Sequence, residues 1–367
     1  MEMSEIMFIN AYAYPFQSTL FVSYLVSTLL AFVMMMVLTP FIKQTALRYN
    51  HVDRPSHRKV HQKPVPRLGG IAICIATITA LLIAWFTGSF GPASAIDLSL
   101  KALLIGSFCF FCIGLADDFF DLSPILRLVA QCVIVVILWS GGMRIECLSL
   151  PLFNSLPLAW LSLPVTLLWI VGVVNAINWI DGLDGLAAGV GSIAAAISFV
   201  LCLQSGQFTS ALVCIALLGS LLGFLMFNFN PAQIFMGDGG SHFVGFLLAA
   251  LCITGFDREP TTVSALLPLL VLSMPLVDMT AVILSRLYSG CSPFSADKRH
   301  LHHRLLKFGL THRSAVLFIY VLSFWCGSLA LLSAGAPGCL LIVGSSTAAL
   351  LFSACKAALT KPSALAS

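Results

Sequence analysis

The chain has 367 residues, of which 59% are hydrophobic and 9% charged, with a mean hydropathy of +0.99 and a formal net charge of +4. No soluble core of this size could enclose so much apolar surface, which excludes a water-soluble globular protein. The small positive charge is spread over short loops, which points to anionic lipid headgroups rather than nucleic acid as partners.

The expected fold class is an all-α polytopic membrane protein. A helical span needs roughly 20 apolar residues, and the sequence divides into about eleven such stretches, near 18–42, 67–87, 100–117, 124–141, 157–177, 186–204, 209–228, 240–256, 262–284, 314–334 and 337–356. Loops near 43–66, 117–124, 175–186, 228–240 and 285–313, with the tail after 356 and their immediate flanks, hold sixteen of the nineteen Lys and Arg residues. The other three are Lys101, Arg144 and Arg258. The positive-inside rule puts the basic loops in the cytoplasm and the N-terminus outside. Residues 1–17 contain no Lys or Arg, so the first span is expected to remain as an anchor. No Pro/Gly/Ser-rich linker or internal repeat divides the chain, and a single domain is expected. Nearly all of the twelve cysteines, including the Cys109/Cys112 pair, fall in apolar spans and read as small packing residues.

The polar motifs come in chain order at the ends of these spans. The first basic loop, DRPSHRKVHQKPVPRLGG, offers Lys59, His61 and Lys63 to a phosphate, although anchoring to the membrane surface explains it equally well. In GLADDFFDL, Asp117 and Asp118 close a span, and one more helical turn would bring Asp121 beside both. Adjacent carboxylates repel unless a cation or proton intervenes, so this cluster suggests Mg²⁺ or a charge-shifted acid/base pair, against the plainer reading of a solvated helix end.

In NAINWIDGLDG, Asn175, Asn178, Asp181 and Asp184 recur every third residue, as a polar ridge would on a helix. Such a ridge is costly against lipid and must face protein, water or ligand. In NFNPAQIFMGDGGS, glycines flank Asp238 just before the next span. Backbone N–H groups there suit a phosphate, with a divalent cation bridging it to the carboxylate; the plainer alternative is a Gly-rich turn with a capping Asp. His300, His302 and His303 stand beside Lys298, Arg299 and Arg304. These cations favour an anionic ligand such as a nucleotide pyrophosphate over zinc. Nine of the fifteen carboxylates lie on the side assigned from basic residues alone, which implies a single site at one membrane face.

Together, DRPSHRKVHQKPVPRLGG, DDFFD, NAINWIDGLDGLAAG, FNFNPAQIFMGDGGS and PLVDMTAVILSRLYSGCSPFSADKRHLHH resemble the polyprenyl-phosphate N-acetylhexosamine-1-phosphate transferases of bacteria, in the branch that uses UDP-GlcNAc and undecaprenyl phosphate. The resemblance covers about residues 40–313, with HLHH where relatives often have HIHH. It implies an eleven-span inner-membrane enzyme that uses Mg²⁺ or Mn²⁺ and moves GlcNAc-1-phosphate from UDP-GlcNAc to undecaprenyl phosphate, releasing UMP and starting O-antigen or a related surface glycan. By the same resemblance, Asp238 is the metal ligand with Asn178 as helper, Asp117 and Asp118 sit near the lipid phosphate, and Asp181 and Asp184 line the nucleotide side. Arg286, His300, His302 and His303 would grip the sugar nucleotide, with Asn228, Lys59 and His61 as further substrate contacts. A homodimer is compatible with this reading, as is another UDP-N-acetylhexosamine donor. A transporter is the rival from another class; its carboxylates would be expected at the midplane, whereas these cluster at one face.

Overall fold

The structure is a computed structural model that describes residues 3–53, 64–90, 98–150, 153–255, 266–292 and 299–359. Thirteen helices occupy the described residues: α1 (Met3–Arg48), α2 (Gly69–Phe86), α3 (Leu98–Phe120), α4 (Pro124–Ser140), α5 (Ser162–Ile180), α6 (Leu186–Gln204), α7 (Phe208–Asn228), α8 (Gly237–Gly255), α9 (Leu266–Val271), α10 (Ser273–Tyr288), α11 (Leu301–Lys307), α12 (His312–Ser333) and α13 (Cys339–Leu359). Two antiparallel hairpins join them, β1 (Val52–Asp53) with β2 (Val65–Pro66), and β3 (Cys147–Leu150) with β4 (Phe153–Pro157).

Each of the eleven expected apolar stretches contains a helix, and among the described residues nine helices are long and apolar enough to cross a membrane. The other two stretches differ. The helix α4 is apolar but shorter, and the stretch near 262–284 is split into α9 and α10 at Leu272. Pro275 lies in the first turn of α10, where its missing N–H costs nothing, so the sequence favours a fresh helix start rather than one continuous span.

Burial follows the place of each helix in the bundle. The helix α8 is the central one, with Phe243, Val244, Phe246, Leu247 and Leu248 almost fully buried, and it packs against α2, α3, α5 and α6. Small residues permit this closeness, because without a hydrophobic drive between helices in lipid, backbone approach supplies the contact. At Gly70 and Gly240 the backbones of α2 and α8 nearly touch, and at Gly114 the backbone of α3 meets that of Asp238. By contrast, Phe21, Leu25, Leu29, Val33 and Val37 of α1 and Leu351 and Phe352 of α13 point outward, as lipid-facing residues should.

Two polar motifs are less helical than their spacing suggested. The helix α3 runs through Asp117 and Asp118 to Phe120, and Asp121 then takes a left-handed φ of 48° that ends it. The expected extra turn therefore stops one residue short of Asp121. Of the four-residue polar ridge, only Asn175 and Asn178 are helical; Asp181 is the C-cap of α5 and Asp184 lies in the turn to α6.

Candidate active site

The first two turns of the site are built by backbone pairing at one end of the bundle. Phe235 N–H donates to Pro66 O at 2.7 Å, Gly69 N–H to Phe235 O at 2.9 Å, and Gly70 N–H to Met236 O at 2.7 Å. The β1–β2 hairpin is thereby stitched to the loop preceding α8. Gly237 opens α8 with φ of 74°, a left-handed conformation that an L side chain would strain, and Asp238 follows in the first turn.

Asp238 sits at the centre of a polar cluster. Asn178 Nδ2 donates to Asp238 Oδ1 at 2.6 Å and to Ser241 Oγ at 2.9 Å, while Arg67 Nη2 donates to Asp238 Oδ2 at 2.8 Å. Arg67 Nε also lies 3.3 Å from Asp118 Oδ1. Asp118 accepts the N–H groups of Asp238 and Gly239 at 2.9 and 2.8 Å, so it caps the N-terminus of α8. Those amides are the ones expected to cradle a phosphate, and this corrects that reading: a carboxylate already uses them. It also separates the Asp117/Asp118 pair, whose second member turns inward to hold α8, its side chain only 3% exposed.

Asp117 reaches toward α4 while its carboxylate still interacts with that of Asp238. Its carboxylate accepts Leu122 N–H at 2.8 Å and forms a close ion pair with Arg127 of α4. One turn below Arg127, Gln131 accepts Asn175 Nδ2 at 2.8 Å and lies 3.1 Å from His242 Nε2. Asn175 is thus a helix-to-helix tie, in keeping with the need to satisfy every polar group at membrane depth.

Above Asp238 a cavity of about 340 Å³ is lined by Asp53, Arg67, Asn178, Asp181, Gly182, Leu183, Asp184, Asn228, Phe235, Gly237, Asp238, His303 and His312. Removal from water, reinforced by the charge of Asp238, pushes Asp181 up to about 7. Burial would lower Arg67, but Asp238 and Asp118 outweigh it and hold the guanidinium above its usual range. Asp184 accepts Asn230 Nδ2 at 2.8 Å and Ala232 N–H at 3.0 Å. Asn228 lines the same cavity, yet both ends of its amide are engaged, accepting Gly185 N–H at 3.0 Å and donating to Ile234 O at 2.8 Å. These two bonds brace the 182–185 turn against the α7–α8 loop.

The histidines divide by burial. His300 Nδ1 donates to Asp278 Oδ2 at 2.9 Å, and Asp278 Oδ1 accepts Leu301 N–H at 2.7 Å, so an acid within the broken ninth stretch anchors the start of α11. His302 is 2% exposed, neither ring nitrogen has a hydrogen-bond partner, and the ring packs against Gly182. Burial, with His303 and His300 adding to it, lowers His302 to about 3, which keeps it neutral. Of the three, His303 lines the cavity, while His300 and His302 are buried behind it. Arg286 is buried and stacks over Trp179, 5.0 Å from the ring centroid, and the edge of that ring meets His300.

The structure thus gathers Asn178, Asp181, Asp184, Asn228, Asp238 and His303 around one cavity, with Asp118 beneath it and His300, His302 and Arg286 in the layer behind. Lys59 and His61 lie outside the described residues. Arg67, Arg127 and Asp278 were missed as site residues. The signal for Asp278 was present, because a lone carboxylate inside an apolar stretch needs a partner. For Arg67 and Arg127 there was none, since each reads as one more juxtamembrane cation.

Residues 99–256 match the family described as Glycosyl transferase family 4. The chain is 38% identical over 303 residues, 82% of each protein, to a probable undecaprenyl-phosphate N-acetylglucosaminyl 1-phosphate transferase of Bacillus subtilis. It is 32% identical over 318 residues, 84% of this chain and 86% of the relative, to an undecaprenyl-phosphate alpha-N-acetylglucosaminyl 1-phosphate transferase of Haemophilus influenzae. A decaprenyl-phosphate N-acetylglucosaminephosphotransferase of Mycolicibacterium smegmatis matches at 32% over 80% of this chain and 77% of its own length.

Proposed function

This chain belongs to glycosyl transferase family 4, and we propose that within it the protein transfers GlcNAc-1-phosphate from UDP-GlcNAc to undecaprenyl phosphate, releasing UMP. The carrying observation is that Asp238, Asn178, Asp181, Asp184, Arg67 and His303, drawn from separate segments, meet around one cavity at one end of a bundle of apolar helices. A lipid-borne acceptor needs such a place, because its tail must stay in hydrocarbon while its phosphate reaches the interface. The face is assigned to the cytoplasm of a bacterial inner membrane on the basis of the loop cations. The reaction would then be the first membrane step of O-antigen or a related surface glycan.

The donor set suits Mg²⁺ or Mn²⁺. Carboxylate and amide oxygens converge on the cavity, while no group of three or more His, Cys, Asp or Glu side chains among the described residues could hold a metal by itself. That pattern fits a hard cation shared with substrate phosphates, and not one caged by protein alone. When bound, the cation would offset charge on the diphosphate and the departing UMP. Asp238 would hold it, with Asn178 fixing the carboxylate's rotamer.

A lipid phosphate oxygen would attack the sugar-bearing phosphorus as the bond to UMP breaks, with positioning supplying most of the rate. A phosphate with a second pKa near about 6 is mostly dianionic at cytoplasmic pH, so Asp117 has no strong base work to do. Through its pair with Arg127 it would instead orient that cation toward the acceptor, next to the outward-facing Phe120, Ile125 and Leu126 that suit an isoprenoid. The test is UMP release by purified protein with Mg²⁺, a short polyprenyl phosphate and a panel of UDP-sugars. UDP-GlcNAc is expected to lead the panel; UMP from another donor alone overturns the sugar, and none from any donor overturns the reaction. Quenching a single turnover without lipid acceptor separates one step from two: labelled protein with a UMP burst would sink direct displacement.

A further inference from the structure

Arg67 has no part in the reaction just described, although it reaches the floor of the cavity. Its backbone is tied down on both sides: Pro66 O and the N–H groups of Gly69 and Gly70 are all bonded to the loop that carries Asp238, and a side chain at Gly237 would overlap Arg67 O. Its side chain is different, being 40% exposed, whereas those of Asp118 and Asp238 are 3% and 17% exposed. The guanidinium can therefore swing into the cavity while the residue stays in place.

Its departure would affect the two acids unequally. Asp118 keeps both of its backbone N–H donors, and Asp238 Oδ1 keeps Asn178. Only Asp238 Oδ2 gives up a guanidinium N–H. The swing thus frees one oxygen of a carboxylate that lines the cavity and is already held by Asn178. A freed guanidinium is in turn the side chain best matched to two phosphate oxygens at once.

We propose that Arg67 is an exchangeable counter-ion: it occupies Asp238 Oδ2 until a divalent cation and a nucleoside diphosphate arrive together, yields that oxygen to the cation, and turns its guanidinium onto the diphosphate. This rests on the reading of Asp238 as the cation's ligand. By linkage, the protein alone binds the cation weakly, and nucleotide tightens it because it provides Arg67 with another anion.

Mn²⁺ binding by the purified full-length protein in detergent, followed by the electron paramagnetic resonance of free Mn²⁺ with and without UDP, tests this. Arg67→Met is expected to bind Mn²⁺ about fivefold more tightly than wild type without UDP, the size of losing one partly exposed ion pair. UDP should then tighten Mn²⁺ binding by wild type more than by the variant. Arg67→Lys keeps the charge but cannot reach both acids, and about twofold tighter binding is expected. Because its charge is unchanged, that result separates oxygen release from simple repulsion, and it decides the matter should Arg67→Met not fold. Equal or weaker Mn²⁺ binding by the variants without UDP overturns the exchange. If Asp238→Asn binds Mn²⁺ as wild type does, the ligand reading beneath it fails instead, whatever Arg67 does.

Discussion

His302 illustrates how one residue's environment decides its chemistry. An exposed imidazole would be half protonated near pH 6.5, but this one is buried against Gly182 beside two other imidazoles, and holds no proton until about pH 3. The unfolded chain takes up that proton below pH 6.5 and the folded chain does not, so acid favours unfolding; the contribution is intact above pH 6.5 and falls by up to about 1.4 kcal/mol per pH unit below it. Comparing wild type with His302→Leu by thermal unfolding in detergent at pH 7.5 and pH 5.5, wild type is expected to lose about 1.4 kcal/mol more than the variant. Equal acid losses would show that His302 is not held neutral. The same burial sets His302 behind the cavity that His303 lines.

At the scale of elements, the site depends on how closely helices approach. The spacing between Arg67 and Asp238 is set where Gly70 of α2 lies on Gly240 of α8, and a methyl at Gly70 would overlap the α8 backbone. Gly70→Ala is therefore expected to cost about 1–3 kcal/mol, the usual range for overpacking a filled interior. It should also lower turnover, because the segment leading into α2 and the first turn of α8 carry the two ends of the Arg67–Asp238 pair. Unfolding temperature and UMP release measured on one preparation check both, and a variant matching wild type in each would remove the close approach from the account. The capping of α8 by Asp118 belongs to this scale as well: an acid that reads as catalytic beside Asp117 serves to fix the helix that presents Asp238.

For the whole molecule, the consequence is sidedness. The cavity gathers the C-terminal ends of α5 and α7 and the N-terminal ends of α6, α8 and α12, so α12 leads away from that face and α13 returns to it. With the cavity facing the cytoplasm, a green fluorescent protein fused after the last residue should fluoresce. Alkaline phosphatase fused after Gly335, between α12 and α13, should be active. The reverse pattern would invert the orientation proposed from loop cations.

Much of this was legible in the sequence, for reasons that operate locally. A run of about 20 apolar residues must cross a bilayer as a helix, and carboxylates and histidines kept to the ends of such runs must face water or one another. Those constraints set the fold class, the places of the helices and the segments that form the site. Tertiary structure decided what each polar atom does. Whether Asp118 meets a substrate or the end of α8, whether Asn228 is free or spent on Gly185 and Ile234, and which cation sits on Asp238 all depend on contacts between residues far apart in the chain. Hydrogen bonds and ion pairs at such a site are fixed by ångström-scale distances between helices, and periodicity along one helix carries no information about the position of its neighbour.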